Sequence, residues 1–134
     1  MRMFHGGRIA ETLVLCLACL VTATAASAHH SFAMFDPTKD VTVQGVVKQL
    51  TWSNPHVWLD VVVTDGKSES KVWGLESLAV GLLYRNGWTA DSLKPGDNVT
   101  VQLHPMKDGS LGGQLMKVTL SDGRVLSSGA GARN

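Results

Sequence analysis

Apolar and polar residues alternate along much of this chain, with the period of two that marks half-buried strands. Val41, Val43, Val46 and Val47 sit in a long first strand candidate, Asp40 to Trp52. Gly45 interrupts its alternation, and the apolar phase shifts by one after it, as at a bulge or sharp bend in a barrel strand. Ser53-Asn54-Pro55 is turn material. In the second strand, His56 to Thr64, Val57, Leu59, Val61 and Val63 take one face, and His56, Trp58, Asp60 and Val62 the other. Asp65-Gly66 is a hairpin signal, and Glu69 to Leu75 makes a third strand. From Ser77 to Asn86 the spacing turns helical, with Leu78, Ala79, Leu82 and Leu83 as its apolar stripe and Asn86-Gly87 as its stop. Lys94-Pro95-Gly96-Asp97 is a tight turn before a fourth strand, Asn98 to His104. Met106 to Gly113 reads as a glycine-containing loop and Gln114 to Leu120 as a fifth strand, with a short last segment at Val125-Leu126.

Three strands, a helix and two strands predict a mostly β fold. The expected architecture is a small five-stranded OB-fold-like barrel over residues 40–126, with one short helix between strands 3 and 4. A plain α+β sheet with the helix on one face is the alternative. Residues 29–39 read as an N-terminal arm whose Phe32, Met34 and Phe35 call for packing on the domain, and residues 127–134 as a frayed polar tail.

The start of the chain changes the compartment. Arg2 and Arg8 precede an apolar run of nine, Leu13 to Val21, and Ala26-Ser27-Ala28 ends a small-residue stretch in an A-x-A pattern. That is a signal peptide over residues 1–28 rather than a membrane span, which needs about 20 apolar residues. The expected location is the periplasm or outside the cell. Leu17-Ala18-Cys19 fits a lipoprotein site only loosely, because Cys16 stands where an aliphatic residue is usual. Both cysteines lie in the leader, so the remaining domain has no disulfide and no thiolate. The leader also holds two of the 12 basic and one of the 11 acidic residues, which leaves a balanced domain without the basic surface that nucleic-acid binding requires.

Cleavage after Ala28 would free the amine of His29, and an amine and an imidazole on one residue can chelate a metal together. His30 follows directly. His56 opens strand 2 and His104 ends strand 4, so in an OB-fold both border the loops that flank one binding face. The arm could span about 36 Å if fully extended, enough to reach them. Nitrogen donors of this kind suit copper first and zinc second. An α-amine titrating near about 8 can lose its proton to a metal at neutral pH. Met34 and Met106 are soft donors suited to Cu(I), and Met106 stands two residues after His104. The competing reading of each residue is structural: His56 as a turn cap, the methionines as apolar filler. Trp58 and Trp73 on neighbouring strands would form an aromatic ligand platform beside Asn54 if both point outward, or a covered cross-strand pair if not. Trp52 and Trp88 read as packing residues. No nucleophile elbow, H-E-x-x-H motif or phosphate-binding glycine loop is present.

Several motifs carry a family resemblance: His29-His30-Ser31-Phe32, Trp52-Ser53-Asn54-Pro55-His56, Gly87-Trp88, Leu93-Lys94-Pro95-Gly96-Asp97 and Lys107-Asp108-Gly109. On them the chain resembles an uncharacterised family of small exported bacterial proteins, a domain of unknown function. The resemblance implies export and a small β-barrel and supplies no activity. Two functional expectations follow. The first is an exported metal-binding module, most simply for copper, that stores, delivers or senses the ion, alone or with a periplasmic partner protein. The second is a metal-free module holding a protein, glycan or small ligand on its Trp face. A metal-dependent enzyme ranks last, because no general acid or base is evident.

Overall fold

The computed structural model describes residues 31–64, 66 and 69–129. The chain divides into residues 1–33 and residues 34–134, each taken by itself. Of the first, only residues 31–33 are described, as the beginning of a 3-10 turn, Ser31–Met34. The expected leader, His29, His30 and Asp65 lie outside the described residues.

Six strands follow: β1 (Val41–Thr51), β2 (Trp58–Thr64), β3 (Ser70–Glu76), β4 (Asn98–Pro105), β5 (Gly112–Leu120) and β6 (Val125–Ser127), with the helix α1 (Val80–Arg85) between β3 and β4. The sheet order is β3-β2-β1-β4-β5-β6, and a parallel pairing of β3 with β5 closes the first five strands into a barrel. β1 is long because it serves both halves: Val41 to Val46 pair with β4, and Val46 to Thr51 with β2. This is the OB-fold-like barrel that the element order predicted. The sixth strand, only three residues long, lines the free part of the β5 edge.

The alternation seen in the sequence is the alternation of burial. Val43, Val47, Leu59, Val61, Leu75, Val101, Leu103, Leu115 and Val118 point into the barrel and are buried. Trp88 and Leu93 complete the core after α1, and the Trp88 indole donates to the Ser127 carbonyl at 2.8 Å.

Some local expectations need correction. The irregularity in β1 falls between Val47 and Gln49, not at Gly45. Val43, Gly45 and Val47 keep one phase, and Val46 is simply outward. Gly45 has a different cause: a Cβ there would come within 2.4 Å of the Val62 carbonyl oxygen. The helix is shorter than the apolar stripe suggested, and of its residues only Leu83 is buried, while Leu82 is exposed. β5 begins at Gly112, inside the stretch read as loop. Ser127 and Ser128 are not frayed: Ser128 is buried and its N–H donates to the Met116 carbonyl.

Candidate functional site

The barrel closure organises one outer face. On β2, β3, β5 and β4 in turn, Trp58 is opposite Glu76, Glu76 opposite Gln114, and Gln114 opposite His104. Their sequence neighbours Leu59, Leu75, Leu115 and Leu103 point inward, Leu59 opposite Leu75 and Leu103 opposite Leu115. One step along, Asp60 faces Gly74 and Gly74 faces Gly112. The Met106 N–H reaches the Gly112 carbonyl at 3.4 Å. Glycine is required where the strands close: a Cβ at Gly112 would sit 2.5 Å from the Gly74 carbonyl oxygen, and one at Gly113 2.2 Å from that of His104.

The register thus puts Glu76, the partner of His56, in the same cross-strand row as His104. Glu76 and His104 lie two strand spacings apart, roughly 10 Å between their backbones. Each imidazole is fixed through Nδ1. The His56 Nδ1 pairs with the Glu76 carboxylate, which is only 4% exposed. The His104 Nδ1 lies 2.9 Å from the Lys39 carbonyl oxygen and 3.4 Å from Asp40 Oδ1. A carbonyl only accepts, so the His104 Nδ1 carries the proton and its Nε2 the lone pair when the ring is neutral. Histidine ligands of metals are commonly oriented in this way by a carbonyl or carboxylate. Among the described residues, no three His, Cys, Asp or Glu side chains come together as a metal-holding group.

Asn54 is part of the scaffold. Its Oδ1 accepts the Val80 N–H at the start of α1, while Val57 exchanges backbone hydrogen bonds with Ser77 and Leu78. The aromatic platform does not form. Trp73 pairs with inward-facing Val61 and packs against the core, so the strand alternation puts it on the face opposite Trp58. Trp58 is 43% exposed.

Instead, Trp58 borders a cleft of about 200 Å³ floored by Gly74, Gly112 and Gly113 and walled by Met34, Phe35, Met106 and Leu111. The arm builds one wall. Phe35 is buried and bridges to Met106, Asp36 N–H donates to the Pro105 carbonyl, and Lys107 N–H donates to the Met34 carbonyl. Two self-contained carboxylate turns stiffen the walls. Asp36 accepts from the Thr38 hydroxyl at 2.6 Å and pairs with Lys39, which lowers its pKa to about 2. Asp108 accepts from the Ser110 hydroxyl and N–H, which also lowers its pKa. A larger groove, about 400 Å³, lies elsewhere on β1, β2, β4 and β5. Its lining includes no charged, aromatic or sulfur-bearing side chain and none of the candidate metal or ligand residues read from the sequence.

Sequence reasoning missed Glu76 as the partner of His56, and the glycines and Leu111 that shape the cleft. The Gly112-Gly113 pair was the available signal, since adjacent glycines beside a strand mark close backbone approach.

Strand order and closure define a small OB-like barrel with a cleft on its outer face. The chain belongs to a family of unknown function, DUF6152, whose model matches residues 16–116. No curated protein matches the sequence. Among solved structures, the chain is similar to the mitochondrial single-stranded DNA binding protein Rim1 of S. cerevisiae. That likeness has a TM-score of 0.47 and 10% identity, and covers 64% of this chain and 97% of the other. Among the described residues, no helix is long and apolar enough to cross a membrane.

Proposed function

We propose that this protein is an exported, non-enzymatic metal-binding module for copper, and that its site lies on the outer face bordered by Trp58, His104 and Met106. The observation that carries the reading is that two thioethers from distant segments line one cleft. Met34 from the arm and Met106 after β4 line one cleft, and His104, with its tautomer set by the Lys39 carbonyl, stands two residues before Met106. Copper suits thioether and imidazole together better than zinc does. His29 and His30, just ahead of Ser31 in sequence, would add an amine and two rings after cleavage at Ala28. The His56 ring belongs to this proposal as a further nitrogen donor, oriented by Glu76.

Equilibrium dialysis of the exported protein against copper, with the bound metal quantified, tests the reading. About one equivalent retained is expected, and retention below a tenth of an equivalent in both oxidation states overturns it. N-terminal sequencing of the same sample tests export and the histidine-first terminus.

A second reading has its own support. Trp58 and Leu111, 46% exposed, give the cleft an open apolar side that a small metal-free ligand could occupy. Loss of ligand capture in Trp58→Ala, with no effect of metal removal, would favour it.

A further inference from the structure

The glycine-floored cleft carries a more specific statement about the ion, which rests on the copper reading above. We infer that it takes a soft monovalent d10 cation, Cu(I) or Ag(I), held by the thioethers of Met34 and Met106 beside the Trp58 indole. The argument starts from what lines the cleft. Besides the Ser110 hydroxyl, which donates to Asp108, two methionines and a tryptophan are its side chains with affinity for a metal, and no carboxylate or imidazole is among the lining residues. A divalent ion entering such a site would lose strongly bound water for neutral donors that cannot replace it. Cu(I) and Ag(I) are weakly hydrated and bind thioethers well. An indole face within about 6 Å adds attraction for a cation.

Ordinary packing does not account for Met34. Its neighbour Phe35 anchors the arm and is 2% exposed, whereas Met34 remains 43% exposed. Its backbone is nevertheless held, by the Lys107 N–H on its carbonyl at 2.9 Å. Gly74 keeps the indole accessible: a Cβ there would lie 3.8 Å from Trp58 Cζ3. An exposed thioether on a held backbone, sharing with a second one a cleft floored by glycines, is an arrangement that suits a soft ion.

The test uses the purified protein with three probes: Cu(I) kept reduced under anaerobic conditions against a chromogenic Cu(I) chelator, silver nitrate, and Cu(II) sulfate. Cu(I) and Ag(I) should bind one to one and quench part of the tryptophan fluorescence. Met34→Leu combined with Met106→Leu should weaken both at least 100-fold, and Met116→Leu, outside the cleft, should leave them unchanged. Circular dichroism checks that the double variant folds. Should it not fold, X-ray absorption at the copper edge of the unaltered Cu(I) protein decides, since it must show sulfur neighbours. A shell of nitrogen and oxygen alone, or Cu(I) affinity indifferent to both methionines, overturns the inference. Tight, histidine-dependent Cu(II) binding with such a result would leave the copper reading standing. No binding of copper in either state would remove both.

Discussion

The two connections that border the outer face are built for different purposes. The β1–β2 connection, Trp52 to Val57, is tied down at four of its six residues. Trp52 packs on the core, Asn54 holds the first N–H of α1, His56 pairs with buried Glu76, and Val57 bonds to Ser77 and Leu78. The β4–β5 connection and the arm beside it stiffen themselves through Asp108 and Asp36, yet leave Met34, Met106 and Leu111 around an open cleft. The most recognisable motif in the chain, Trp-Ser-Asn-Pro-His, thus serves the fold directly. The residues with spare chemistry sit in stretches of unremarkable sequence. A loop whose Asn and His side chains are engaged by the fold stabilises; one that is stiff yet leaves donors outward is equipped to bind.

The sharpest way to break this contrast is at the closure beneath both regions. Gly113→Val would drive a side chain into the His104 carbonyl and Leu103, and should cost about 3 kcal/mol or more in a urea melt. A loss under 1 kcal/mol would mean that the close approach of β5 to β4 at His104 is not needed to hold the face. Next, His56→Ala takes one partner from the buried Glu76 carboxylate and should cost about 2 kcal/mol, discounted for the partly exposed ring. Asn54→Ala removes an acceptor from the α1 start and should cost about 1 kcal/mol. Both belong to the scaffold loop, so thermal stability should fall in each. The volume-conserving Met34→Leu should shift stability by less than about 1 kcal/mol while weakening copper capture; a larger stability loss without a binding defect would reverse the assignment of the two regions.

The smallest effect concerns pH. Hydrogen bonds from Thr38 and the Lys39 pair hold the Asp36 pKa at about 2, below its ordinary value. A lowered folded-state pKa contributes stability above the unfolded value, near about 4, and loses it as the pH falls through about 2. Melts of the protein and of Asp36→Asn should therefore differ at pH 5 and converge towards pH 2. Curves that stay parallel across that range would detach Asp36 from the arm's order.

Much of the barrel was legible because its antiparallel strands bury one face and expose the other. Leu59, Val61 and Val63 announced β2, and Lys94 to Asp97 announced the turn that is now seen clipped to Val47. The parallel β3–β5 pairing was not, since it joins Gly74 to Gly112 and leaves no periodic apolar signal. Without that closure the sequence could only borrow a shared face for His56 and His104 from the expected fold. Trp73 shows another limit. Its alternation within β3 was readable, but which phase faced inward depended on its register opposite Val61. The cleft itself was hidden because its walls come from residues 34–35 and 106–113, which only tertiary contact brings together.

That split origin has a practical consequence. Among the described residues every strand lies at or after Val41, yet one side of the cleft is contributed by Met34 and Phe35. A protease cutting near Pro37 would thus disarm the molecule while sparing its β-sheet, so occupancy by a guest should be readable as protection of that single peptide segment.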